Sequence, residues 1–161
     1  MIQTVNENII KALKKGDIQL LAHGCNCSGG FGSGVAGQIA KEFPMARREY
    51  LAYHEIGGTV LGNVQFVDVL PHNKKVDKFI ANCMTQQRYG NAARTGKVYC
   101  DYQAIRTALE EVKEFASLNN LVVGMPKIGC GLAGGSWSRV NKIIQETFVD
   151  WPATIYDWQP E

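Results

Sequence analysis

Apolar positions along this chain fall into two kinds of pattern, short runs of strand length and longer stretches at helical spacing, and the two alternate from one end to the other. Met1 to Val5 reads as a short strand. Glu7 to Lys15 carries Ile9, Ile10 and Leu13 at helical spacing, and Gly16 closes it. Ile18 to His23 is a mostly apolar run that enters a loop at Gly24. Val35, Ile39, Ala40 and Phe43 then recur as a helix until Pro44 interrupts, and a second helix follows from Met45 to about Tyr53. Asn63 to Val69 and Lys78 to Met84 read as strands on either side of Pro71 and a polar turn, and Gln86 to Lys97 is polar and irregular. Ile105, Ala108, Leu109, Val112, Phe115 and Ala116 form the apolar face of a helix that begins at Tyr102 and ends at Asn119-Asn120. Leu121 to Met125 has the continuous apolar character of a strand buried on both faces, and a helix over Ser136 to Phe148 and a strand over Ala153 to Trp158 complete the chain.

Strands alternating with helices imply an α/β fold, a largely parallel sheet covered on both faces. No repeat or linker divides the 161 residues, so a single domain is expected over 1–161. Ligands of such folds sit beyond the carboxyl ends of the strands. Two glycine-rich loops fall there, one punctuated by Gly29, Gly30, Gly32, Gly34 and Gly37, the other by Gly129, Gly131, Gly134 and Gly135.

Composition changes this picture little. Lys plus Arg number 17 against 15 Asp plus Glu, a balance of +2 that gives no global argument for nucleic-acid or membrane binding. With no membrane-length apolar run and no signal-peptide pattern, a cytoplasmic location is expected. The five cysteines, Cys25, Cys27, Cys83, Cys100 and Cys130, form no Cys-x-x-Cys pair and read as reduced thiols. His23, Cys25 and Cys27 lack an evident fourth ligand, so no metal is expected.

The glycine loops carry the candidate chemistry. Both lead toward helices, and helix N-termini present unpaired N–H donors, so two such loops facing each other can cradle a diphosphate without lysine. Tight turns alone are the competing reading for any one of them. A Walker A sequence is absent. Gly32-Ser33-Gly34-Val35-Ala36-Gly37 fits the dinucleotide fingerprint only weakly, because no acid follows about twenty residues on to hold a ribose, which disfavours a dehydrogenase.

His23-Gly24-Cys25-Asn26-Cys27, then Gly32-Ser33-Gly34-Val35-Ala36, then Gly129-Cys130-Gly131-Leu132 with Trp137, resemble the macrodomain family in order and spacing over nearly the whole chain. Among macrodomains the match looks most like the branch of fungal ADP-ribose-1″-phosphate phosphatase and terminal ADP-ribose protein glycohydrolase. The resemblance implies a three-layer α/β/α fold with a central mixed, largely parallel sheet, and ADP-ribose or ADP-ribose 1″-phosphate as ligand, with no cofactor. It implies that Gly32, Gly34, Val35 and Ala36 on the first loop, and Ile128, Gly129, Cys130, Gly131, Leu132, Ala133 and Gly134 on the second, hold the diphosphate. Asn8, followed by Ile9, occupies the place of the family's adenine-contacting acid, with a helix cap as its other reading. Trp158 matches the position of a side chain set against the adenine, or else covers the sheet edge.

The resemblance also bears on catalysis. The glycohydrolase branch has an Asp after Gly-Cys-Gly-Leu and a Lys after the fourth strand; here Ala133 and Gln86-Gln87 stand in those places, which argues against that mechanism. His23 is the candidate acid or base for a phosphatase, able to titrate near neutrality if it faces the cleft and otherwise a buried structural histidine. Asn26 would orient the distal ribose or the attacking water, and Arg88 and Tyr89 are candidate contacts for a terminal phosphate. Cys130 has no adjacent base that would make it a nucleophile. The expected activity is hydrolysis of ADP-ribose 1″-phosphate, ahead of removal of ADP-ribose from a macromolecule and of non-catalytic ADP-ribose reading.

Overall fold

The computed structural model describes residues 2–70 and 77–158, and the expected Pro71 turn lies outside them. The elements follow one another as β1 (Ile2–Val5), α1 (Ile9–Lys15), β2 (Leu20–Asn26), α2 (Gly34–Glu42), α3 (Pro44–Glu55), β3 (Val64–Asp68), β4 (Phe79–Gln86), α4 (Ala92–Thr95), α5 (Tyr102–Asn119), β5 (Val123–Met125), α6 (Trp137–Thr147) and β6 (Ala153–Tyr156). They form one six-stranded sheet in the order β1-β6-β5-β2-β4-β3. Every pairing is parallel except β3 with β4, so the sheet is mixed and largely parallel, as expected.

Side-chain alternation divides the core into the two layers that sandwich the sheet. On β2, Leu20 and Ala22 face α5 and α6, while Leu21 and Cys25 face α1, α2 and α3. On β4, Ala81 and Cys83 face the first side and Ile80 and Met84 the second. Helix α5 buries Ala104, Ile105, Ala108, Leu109, Val112 and Ala116, which is the stripe read from its spacing with Ala104 added and Phe115 only half-buried. Asp101 caps it by accepting from Ala104 N at 2.9 Å. No helix among the described residues is long and apolar enough to cross a membrane.

Several boundaries differ from expectation: β4 runs on to Gln86, β5 begins only at Val123, β6 ends at Tyr156, and the segment read as irregular holds α4; two more bear on the site. Strand β2 does not stop at Gly24 but runs on to Asn26, because β4 continues beside it and pairs with Gly24 and Cys25. A register shift between Cys25 and Asn26 then bends the chain into the first loop. Pro44 begins α3 instead of only interrupting α2, since a proline costs nothing at a first helical position whose N–H is unpaired anyway.

Candidate ligand cavity

The carboxyl ends of β1, β6, β5, β2 and β4 lie side by side and open onto a cavity of about 690 Å³. At about 4.8 Å per strand, these five ends span roughly 19 Å, so the cavity suits an extended ligand. Glu7, Ile9, Tyr156, Asp157 and Trp158 line it above β1 and β6; Asn26, Gln86, Tyr89 and Asn91 line it above β2 and β4. The two glycine loops form the walls between.

The first loop ends where α2 begins. Gly34, Val35 and Ala36 line the cavity, Ser33 at the cap position makes no side-chain bond to them, and the N–H groups of those three residues have no acceptor among the described residues. The second loop works differently. The carbonyls of Gly131, Leu132 and Ala133 accept from Gly134 N at 3.1 Å, Ala92 N at 2.9 Å and Tyr99 N at 2.8 Å. The N–H groups of those three residues have no acceptor among the described residues. Carbonyls tied to protein and amides left open make an anion-binding concavity. Helix α6 starts only at Trp137, outside the lining, so this wall is a loop of amides and not a helix N-terminus. Lys127 is the one Lys or Arg among the lining residues, and its Nζ is held 3.0 Å from Asp157 Oδ2.

His23 is 1% exposed. Its Nε2 lies 2.6 Å from Asn82 Oδ1, and Asn82 Nδ2 in turn donates to Ala46 O and Gln65 Oε1, an arrangement in which Nε2 carries the proton. Burial lowers its pKa to about 4, the bond to Asn82 opposing only in part. Cys130 Sγ donates to Ile128 O at 3.4 Å, and burial, with Cys100 nearby, pushes its thiol up to about 11. That is the reverse of an activated thiolate. Asn26 is the hub of the first loop: Oδ1 accepts from Ser28 N and Gly30 N, each at 3.0 Å, and Nδ2 donates to Gly30 O at 2.7 Å.

Residues 22–144 match the Macro domain family profile. The chain belongs to the macrodomain family. It is 26% identical to the ADP-ribose 1″-phosphate phosphatase of Saccharomyces cerevisiae (strain YJM789), with 96% of this chain and 97% of that protein covered. A macrodomain protein from Streptomyces coelicolor superposes with a TM-score of 0.78 at 32% identity, covering 98% of this chain and 99% of the other. Thermosipho africanus DarTG in complex with ADP-ribose has the same fold at 18% identity and a TM-score of 0.73, over 88% of this chain and 38% of that one.

Within this macrodomain most of the expected site residues border one cavity, while Asn8, Gly134, His23 and Arg88 are placed otherwise than expected. Ile9, Asn26, Gly32, Gly34, Val35, Ala36, Ile128, Gly129, Cys130, Gly131, Leu132, Ala133 and Trp158 line the cavity. Asn8 does not: its Oδ1 accepts from Ile10 N and Lys11 N as the cap of α1, and the lining carboxylates at that end are Glu7 and Asp157. Gly134 lies behind the wall, at φ 73, where an added Cβ would collide with Ala92 Cβ. His23 borders the cavity, but its ring is buried against Phe31 and Asn82, so it does not titrate near neutrality. Of the two candidate phosphate contacts, Tyr89 lines the cavity and Arg88 does not. Sequence reasoning missed Glu7, Lys127 and Asp157; the acids beside Asn8 and Trp158 were the available signal, whereas Lys127 gave none.

Proposed function

We propose that this macrodomain binds ADP-ribose along the cavity and hydrolyses ADP-ribose 1″-phosphate to ADP-ribose and phosphate. The observation that carries the reading is the pair of facing amide walls, the uncapped first turn of α2 and the open N–H groups of Gly131, Leu132 and Ala133. Between them they offer a diphosphate donors without a lysine. The adenine lies at the β1/β6 end against Trp158, with Glu7 and Asp157 as the carboxylates able to accept from its amino group. The second ribose lies at Asn26, whose Nδ2 has two hydrogens, one given to Gly30 O and one left for a ribose hydroxyl or the attacking water. His23 holds the end of β2 through Asn82 instead of moving a proton, so orientation and amide donors carry the reaction. The yeast relative's name, ADP-ribose 1″-phosphate phosphatase, supports this substrate.

Removal of ADP-ribose from a macromolecule is the second reading. It is favoured by Tyr89 and Leu132, which line the mouth yet stay largely exposed, leaving room for a bulky attached group. The unbroken sheet from β1 to β6 supports one functional unit over 1–161, and five free thiols support a cytoplasmic setting.

Calorimetry with ADP-ribose, and with AMP and NAD as controls, tests the cavity; phosphate release from ADP-ribose 1″-phosphate tests the reaction. Gly131→Glu is expected to abolish binding while leaving the fold intact, because an added Cβ there meets nothing within 4 Å and only a ligand would feel the carboxylate. A folded Gly131→Glu protein with undiminished affinity refutes the cradle.

A further inference from the structure

Tyr50 lies on α3, entirely buried and outside the cavity lining. Its ring packs against Phe31 at 5.1 Å between centroids and against His54 at 6.5 Å. A buried phenol needs polar partners, and this one finds them at the base of the loop. The hydroxyl is 2.8 Å from Asn26 O, 3.0 Å from Asn26 Oδ1 and 3.1 Å from Gly29 N. With one proton to give, it donates to the nearer Asn26 carbonyl and accepts the Gly29 N–H, leaving Asn26 Oδ1 to the amides of Ser28 and Gly30.

These bonds fall where the strand passes into the loop. The strand ladder shifts register between Cys25 and Asn26. Gly29 sits at φ 90, and a Cβ there would stand 3.0 Å from the His54 ring, so the loop is pressed directly against α3. A second tie runs from His54 Nδ1 to Thr59 Oγ1 at 2.7 Å and on to Cys27 O at 3.1 Å. It fixes the backbone beside Asn26 without touching the Asn26 amide.

We infer that Tyr50 is a positioning residue for the second-ribose end of the cavity: by holding the Asn26 carbonyl and the Gly29 N–H, its hydroxyl keeps the loop amides of Ser28 and Gly30 on Asn26 Oδ1, fixes the Asn26 side chain through them, and so decides how firmly the ribose beyond the diphosphate is held. The inference rests on the reading of Asn26 as the second-ribose contact. The diphosphate walls at Gly34–Ala36 and Gly131–Ala133 make no bond to Tyr50, so the effect is confined to one end of the ligand.

Tyr50→Phe keeps the ring and removes only the hydroxyl. Binding of ADP-ribose and of ADP, which lacks the second ribose, is measured by calorimetry on wild type and variant, with thermal unfolding to verify the fold. The wild type is expected to prefer ADP-ribose, and Tyr50→Phe to lose about tenfold in ADP-ribose affinity with ADP affinity held within about twofold, the scale of one buried hydrogen bond. In an Asn26→Ala background the same substitution is expected to have no further effect on ADP-ribose. Equal losses for both ligands, an unchanged preference in the variant, or additive effects with Asn26→Ala each overturn the positioning role. Equal wild-type affinity for ADP and ADP-ribose overturns the second-ribose assignment itself, and the inference with it. If Tyr50→Phe does not fold, Thr59→Ala, which cuts the parallel tie, stands in: affinity for both ligands within about twofold of wild type supports the assignment of the Asn26 position to the Tyr50 tie, and selective loss of ADP-ribose affinity overturns it.

Discussion

At His23 burial decides against charge. An imidazole with no water around it and one good acceptor stays neutral well below its usual range, so its pKa of about 4 is a statement about stability. The unfolded chain takes up a proton near pH 6.5 and the folded chain only near pH 4, so the unfolded state binds more protons between the two. Folding stability contributed by this residue is therefore complete above about pH 6.5 and is lost as pH falls toward 4, on the order of 3 kcal/mol in all. Urea unfolding at steps between pH 7 and pH 4.5 is expected to show a steeper loss in wild type than in His23→Gln; parallel curves would contradict the buried, neutral ring. The proposed phosphatase activity, if assayed across pH 6 to 8, is expected to carry no inflection from this histidine. The sequence placed His23 at a strand end but left its orientation open, because which face it takes depends on pairing with Asn82, 59 positions away.

Among the elements, α1 illustrates how a motif position and a helix start compete for one side chain. Asn8 sits at φ −74 and ψ 116 with its oxygen on two first-turn amides, and that geometry is a cap whichever family aligns with it. Asn8→Ala is expected to cost about 1 kcal/mol in urea unfolding and to leave ADP-ribose affinity unchanged, while Glu7→Gln weakens binding without that stability cost. A reversed pattern would return the adenine contact to Asn8. The helices were legible because their stripes and their glycine or asparagine ends are local, as with Gly16 at φ 88 and Asn120 at φ 56 closing α1 and α5. The segment after β4 was not. It is pinned by the Gln86 to Cys100 bridge and by bonds from Ala92 and Tyr99 to the second glycine loop, which a local reading does not contain.

For the molecule as a whole, alternation along the chain gave the layers but not the strand order. That order rests on distant pairings such as Gln19 Oε1 accepting from Val122 N across 103 positions, and on β3 returning antiparallel at the sheet edge. The order matters for the candidate site, since it lines up five strand ends under one cavity. A ligand in contact with loops from both halves of the chain binds the folded state alone. ADP-ribose at a hundredfold its Kd is therefore expected to add about 2.7 kcal/mol and raise Tm by roughly 5–10 °C, a shift that thermal scans at increasing ligand detect and that AMP, reaching one end only, does not match.

The amide walls have one more consequence. A phosphate site built from lysines attracts anions over a Debye length and weakens as salt is added. Peptide dipoles carry no net charge, and their reach ends within the first turn of a helix or one loop. Here the single lining lysine is already paired with Asp157. Affinity should accordingly hold within about threefold from 50 to 500 mM salt. Such a site draws nothing from a distance and admits an anion only by fit, so long polyphosphates and nucleic acids, however concentrated, gain no electrostatic advantage over a small ligand of the right shape.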